Sequence, residues 1–318
     1  VLDYNVKARV KSDGSGVGTV IVKNIRGGSA NSDPTSLTPA GSLLYFAASD
    51  GTNGVELWKS DGSSANTAKI VPLADQQLIV QESVMVGSTL FFAADNGVNG
   101  VELWKSDGTA AGTVLVKDIV AGSTGSVPSQ LTNFNGVLFF SANNSTNGVE
   151  LWKSDGTSAG TVLVKDIRSG ASSSDPSELR VVGTTLFFSA NNGTNGIELW
   201  KSDGTSAGTV LVKDIRAGSA NSYPSSLTNV NGTLFFKAFD STNGIELWKS
   251  NGTEVGTVLV KNISAGNTSS YPASLTNVGG TLFFAATDGV NGIELWKSDG
   301  TSAGTVQVKN ISVAGSST

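Results

Sequence analysis

The sequence predicts an all-β chain, a β-propeller of four-stranded antiparallel blades. Three observations predict it. The run Glu-Leu-Trp-Lys-Ser recurs with Trp58, Trp104, Trp152, Trp200, Trp248 and Trp296, all six tryptophans of the 318 residues, at spacings of 46, 48, 48, 48 and 48. A fixed period of this size marks a repeat architecture, in which like units stack into one body. Each unit reads as four short β-rich runs broken by Gly, Pro or Asn, and no stretch carries a helical period.

Residues 224–271 show the elements in order. Residues 224–230 form strand A, and Asn231-Gly232 is a two-residue hairpin turn, since both positions tolerate positive φ. Residues 233–239 form strand B, 240–244 a loop, 245–250 strand C, 251–256 a loop and 257–263 strand D. A Ser/Gly/Asn-rich connection, 264–272, leads to the next unit. Strands B and D are apolar on both faces (Leu-Phe-Phe, Val-Leu-Val), as in a sheet covered by neighbours on either side. A β-solenoid is the alternative, though its coils are usually much shorter.

One domain over 1–318 is expected, with repeats at 7–33, 34–79, 80–125, 126–173, 174–221, 222–269 and 270–318. The first is only a C–D hairpin, because Lys11 lies 48 residues before Lys59 and Val10 holds the tryptophan position. Six A–B pairs against seven C–D pairs favour seven blade slots, the seventh half supplied. Its inner strands could come from residues 1–6 and 312–318, from sequence beyond this chain, or from another chain. Residues 64–83 replace the usual loop, D strand and connection, with Pro72 where strand D would run, which an outer edge tolerates. The start at Val1 is read as that of a mature or excised fragment.

The net charge is −5, and the lysines are scattered, which argues against nucleic acid and anionic membrane as partners. No apolar run reaches 18 residues, so no membrane-inserted helix is expected. The absence of cysteine removes disulfides, thiolate metal sites and cysteine nucleophiles, and the absence of histidine removes the commonest general base. Nearly every charged residue recurs in every repeat, whereas catalysis needs a unique constellation, so no enzyme and no catalytic residue is expected.

The six tryptophans are assigned to the core, with sugar stacking as the alternative. The glutamates two residues before them (Glu56, Glu102, Glu150, Glu198, Glu246, Glu294) share their face. A regular C–D register places Glu102 opposite Lys117 and Trp104 opposite Leu115, a cross-strand ion pair in every blade; a one-residue shift places Glu102 against Asp118. The candidate binding residues lie on the B–C loops: Asp50 and Asn53, Asn96 and Asn99, Asn144 and Asn147, Asn192 and Asn195, Asp240 and Asn243, Asp288 and Asn291. Their oxygens suit sugar hydroxyls, peptide or calcium, but Asx-Gly is also ordinary turn chemistry. The Ser-Asp-Gly-Thr run after each tryptophan starts the C–D turn.

Glu-Leu-Trp-Lys-Ser-Asp-Gly-Thr followed by Gly-Thr-Val-Leu-Val-Lys-Asp-Ile resembles the ELWxxDGT repeat family over residues 7–311. Departures are Ala8-Arg9-Val10, Asn251 and Gly62-Ser63 with the segment after it. The resemblance implies a propeller-like fold and a secreted or cell-surface setting, and transfers no catalytic residue. The expected function is a multivalent binding or adhesion module for glycan or surface-protein ligands through the B–C loops, with calcium as a candidate ion. The alternative is a structural subunit of an extracellular assembly, copies joined by strand complementation.

Overall fold

The computed structural model describes residues 9–12, 14–52, 54–70 and 82–311. Alternating apolar residues, punctuated by turns, give strands throughout, and no helix occurs among the described residues. A two-stranded sheet, Arg9–Lys11 with Val20–Lys23, is followed by six four-stranded antiparallel sheets, each with its strands in sequence order. These are blades 1–6, spanning 35–69, 83–117, 129–165, 177–213, 225–261 and 273–309. In blade 5, strand A is Ser225–Val230, B Thr233–Asp240, C Gly244–Ser250 and D Val258–Lys261. The expected propeller blades and the N-terminal C–D half-blade are therefore present. Residues 1–6 and 312–318, expected to help complete a seventh blade, lie outside the described residues, as does the segment around Pro72. The described residues fall into two compact units, one reaching to Gly148 and including Trp152–Leu163, the other holding Val149–Leu151 and continuing from Val164.

Strand B carries the centre of each blade. Phe46, Phe92, Phe140, Phe188, Phe236 and Phe284 are all less than 2% exposed. Antiparallel pairing sets Phe236 opposite Trp248 and Phe188 opposite Trp200, so the largest side chains of B and C are neighbours. The tryptophans are 6–7% exposed and face the core rather than solvent. In the second unit, Phe236 and Trp248 pack with Phe187, Leu199 and Val212 of the preceding blade, so each core lies between blades.

The regular C–D register does not hold. Trp104 faces Leu115 as expected, but a bulge follows and Lys117 comes opposite Leu103. The bulge residue Val116 is buried, and the same shift recurs in blades 4, 5 and 6. The expected Glu102–Lys117 ion pair is thus absent. The Lys117 ammonium instead donates to the Thr161 carbonyl at 2.7 Å, and Lys261 reaches Thr305 in the same way. The Glu–Lys pair that does form is Glu56–Lys69 at 2.9 Å, with Lys69 opposite Trp58.

The glutamates have a different role. The Glu198 carboxylate accepts from the Ile215 and Ser222 amides, both at 3.0 Å, and from the Ser222 hydroxyl at 2.6 Å. Glu102, Glu150 and Glu246 hold their own connections alike. The Ser222 amide also reaches the Ile197 carbonyl of strand C, so the carboxylate adds an acceptor for Ser222 and supplies one for Ile215. Burial pushes Glu198 from an ordinary 4.5 up to about 7, against the lowering effect of its Ser222, Ile215 and Arg216 hydrogen bonds. Burial raises Glu102, Glu150 and Glu246 as well.

Between the unfolded and folded pKa values the folded chain binds a proton that the unfolded chain has lost, so stability falls as pH rises through that window. Thermal unfolding should therefore show a lower Tm at about pH 8 than at about pH 5, with the slope reduced in Glu198→Gln. A Tm that rises over this range would contradict the assignment. Asp61, held down to about 2 by Ser63 and Asn66, acts only at lower pH. Independently, Phe236→Ala should cost about 3–5 kcal/mol in urea unfolding.

Candidate functional site

The repeat motif is engaged in holding the blades. Asp107 Oδ1 accepts from the Thr109 amide at 2.8 Å and hydroxyl at 2.7 Å, and Thr109 Oγ1 accepts from the Gly112 amide at 3.0 Å. Ser106 and Thr113 share a 2.7 Å hydroxyl bond that closes the turn. A Cβ at Gly112 would stand 2.0 Å from Asp107 Oδ1, so glycine is required there by space. Gly108 is at φ 87° and its backbone lies against the Tyr45 ring of the preceding blade. Its carbonyl accepts from Lys59 Nζ at 2.8 Å. The same bond runs from Lys105 to Gly156, Lys201 to Gly252 and Lys249 to Gly300, each at 2.8 Å. Every residue of the motif thus has a structural partner.

The B–C loops close on themselves. Asn192 Oδ1 accepts from the Thr194 and Asn195 amides at 2.9 and 2.8 Å, and its own amide donates to Asn195 Oδ1 at 2.9 Å. Asn195 Nδ2 then donates to Asp214 at 2.8 Å. Asn96, Asn99 and Asp118 repeat this arrangement, and Asn144 with Asn147 repeats its first half. Asp240 accepts from the Asn243 amide and side chain, and Asp288 from those of Asn291. Asn243 and Asn291 accept in turn from Asn262 and Asn310. Asp50 binds the Thr52 amide and Lys69, and Asn53 lies outside the described residues. These are Asx turns, in which the side-chain oxygen replaces a backbone acceptor. No cluster of three or more metal-ligating carboxylates occurs among the described residues.

A different place stands out once the repeats are aligned on tryptophan. At 32, 25, 11 and 9 residues before it, blade 4 carries Arg168, Asp175, Ser189 and Asn191, and blade 1 carries Arg26, Asp33, Ala47 and Ser49. Blade 5 carries Arg216, Tyr223, Lys237 and Phe239. The last three abandon the small or acidic residues of blades 1 and 4, and all four line one cavity of about 490 Å³ with Asn221, Ser222, Ser225 and Ile245. Lys237 and Phe239 are two apart on strand B, so period-two geometry directs them to one face. The Arg216 guanidinium stacks 4.6 Å from the Phe239 centroid and donates to the Ser241 hydroxyl at 3.3 Å. The Tyr223 oxygen accepts from Asn221 Nδ2 at 2.7 Å, and Tyr223 is 57% exposed. Among the described residues no acid pairs with Lys237 or Arg216. Sequence reading missed this site because it followed what repeats; the signal was the loss of the repeat at 237 and 239.

No family model matches the chain, and no curated protein matches it. Among solved structures it is similar to puromycin hydrolase at 12% identity and a TM-score of 0.50, with 87% of this chain and 46% of that one covered. It is also similar to an S511A mutant of puromycin hydrolase complexed with PGG (13%, TM-score 0.48, 87% and 46% covered). A structure from a study of two prolyl endopeptidases follows (10%, 0.41, 86% and 49%). The chain spans about half the length of these structures. At such identities the likeness concerns the fold.

The expected function is corrected on these findings. The structures named above are a puromycin hydrolase and a prolyl endopeptidase, and they share the fold without pointing to adhesion. The described side chains expected to bind glycan or protein in parallel are engaged in hydrogen bonds within the chain, so the multivalent adhesion module is withdrawn, and its strand-complemented alternative is not carried forward.

Because Gly208 meets Asp203 as Gly112 meets Asp107, with a Cβ 2.1 Å from the carboxyl carbon, Gly208→Ala should lose about 1–3 kcal/mol in chemical unfolding. Gly27→Ala, with open space around it, should stay within about 0.5 kcal/mol of the parent. Equal effects would remove the steric account.

Proposed function

We propose that this chain is a non-catalytic propeller module that binds one small ligand at the blade 5 cavity. The observation that carries this reading is the confinement of two residues found in no other repeat, Lys237 and Phe239, to the wall of one cavity, beside Tyr223, which blade 6 shares as Tyr271. Its volume, about 490 Å³, lies in the range of small-molecule sites. The absence of catalysis is supported by composition: the cavity holds no histidine, cysteine or free carboxylate as a general base. The secreted or cell-surface setting belongs to the same proposal and is supported by the family resemblance and the Gly/Ser/Thr/Asn-rich composition.

The test is a fragment library screened by ligand-observed NMR on the full chain and on Lys237→Ser/Phe239→Asn. That variant installs the residues of blade 4, which the fold already accommodates. We expect hits of one-to-one stoichiometry that the variant loses. Hits retained by the variant, or a stoichiometry near one per repeat, would overturn single-site binding. Turnover of ester or amide substrates that disappears in Ser225→Ala would overturn the non-catalytic reading, since Ser225 pairs directly with Lys237 across the strands.

A further inference from the structure

We infer that the ligand of the blade 5 cavity is a small organic anion, a carboxylate on an aromatic body. The inference rests on the single-site reading above and adds the chemistry of the ligand.

The argument starts from charge. At the corresponding positions of blades 1 and 4, the arginine is accompanied by an acid, Asp33 or Asp175, so the group is neutral. In blade 5 the acid has become Tyr223 and a second cation, Lys237, has been added, so the group carries two positive charges. This happens in a chain whose net charge is −5. The acids nearest in sequence are engaged elsewhere. Asp214 accepts from Asn195 and from the Gly218 amide at 3.1 Å. Glu198 holds Ser222 and Ile215, and Asp240 closes its own loop. Two cations without a counter-ion, on the half-buried wall of a mostly apolar cavity, are an arrangement that an incoming anion completes.

The aromatic part of the assignment comes from Phe239 and Tyr223. Asn191 and Asp175 occupy these positions in blade 4, so both changes exchange a polar side chain for a ring. Phe239 also orders Arg216 by stacking, with Nε donating to the Ser241 hydroxyl and Nη1 to the Asn221 carbonyl at 3.4 Å, so the guanidinium is fixed and Nη2 is left as a donor. Tyr223 receives a hydrogen bond from Asn221, which leaves its own O–H free to donate. The wall therefore offers ammonium, guanidinium and phenol donors beside two rings. A planar acid matches that set. A sugar or a neutral peptide would leave both charges uncompensated.

The experiment is isothermal titration with phenylacetate and indole-3-acetate, against their neutral amides and against phenyl phosphate. We expect each carboxylate to bind at least about tenfold more tightly than its amide, with the difference shrinking at about 0.5 M salt. Lys237→Met, which keeps the aliphatic stem, should remove most of that advantage while leaving the Tm unchanged. Phe239→Asn should weaken acid and amide together. Tighter binding of phenyl phosphate than of the carboxylates would replace carboxylate by phosphate as the anion. Equal binding of acid and amide, or no effect of Lys237→Met, would overturn the anion assignment. If neutral fragments bind the cavity and no acid does, the ligand class fails and the single-site reading stands. If nothing binds there, both fail.

Discussion

The buried glutamate is the interaction on which the rest of this architecture depends. A chain that leaves one blade and enters the next must cross between sheets, and its amides there leave the regular ladder, the Ser222 amide meeting the Ile197 carbonyl singly. A carboxylate two residues before the tryptophan supplies acceptors at that crossing, as Glu198 does for Ile215 and Ser222, while Glu56 of blade 1 pairs with Lys69 instead. The arrangement joins strand C of one blade to the entry of the next, so blade folding and blade connection are one event. Desolvating a charge is costly unless its hydrogen bonds are complete, and the raised titration of Glu198 reports that cost.

Around this crossing, lysines of strands C and D tie blades to their neighbours through backbone carbonyls, whereas Lys69 of blade 1 meets the Asp50 and Glu56 carboxylates. Lys201 reaches Gly252, and Lys165 reaches Thr209. A carbonyl acceptor at a turn is fixed by backbone geometry, so the bond does not depend on the identity of a partner side chain. It does depend on the turn keeping its shape. The aspartate, threonine and two glycines of Ser-Asp-Gly-Thr-x-x-Gly-Thr provide that shape.

How much of this was legible in the sequence follows from which interactions are local. The strands, their order and the opposition of Trp104 and Leu115 follow from periodicity and turn chemistry, which act over a few residues. The fate of Glu102 was not legible, because a single bulge residue, Val116, moved Lys117 past it. Whether a strand carries a bulge depends on what the neighbouring sheet requires of its side chains, and period-two reasoning assumes none. The B–C loop residues were seen correctly as Asx-Gly turns and also offered as ligand donors. Side chains such as Asn192 bond within their own loops, which is the cheaper arrangement because ordering them requires no partner from outside. The blade 5 cavity was readable in principle from Lys237 and Phe239, yet only the fold shows that positions spread over residues 216–239 share one wall.

The completeness of the motif has an evolutionary consequence. Each residue of Glu-Leu-Trp-Lys-Ser-Asp-Gly-Thr is held by its partners, so the most repetitive part of the chain is the part least free to change. Novelty enters more readily at the columns outside that motif. At residues 237 and 239 one copy has drifted from its siblings without disturbing its Lys-to-Gly bonds, and at 239 it has given up the loop-closing bond that Asn191 makes to the Gly193 amide. Duplication thus furnishes this chain with spare copies of a rigid frame, and a copy becomes an individual through a few positions outside the shared motif.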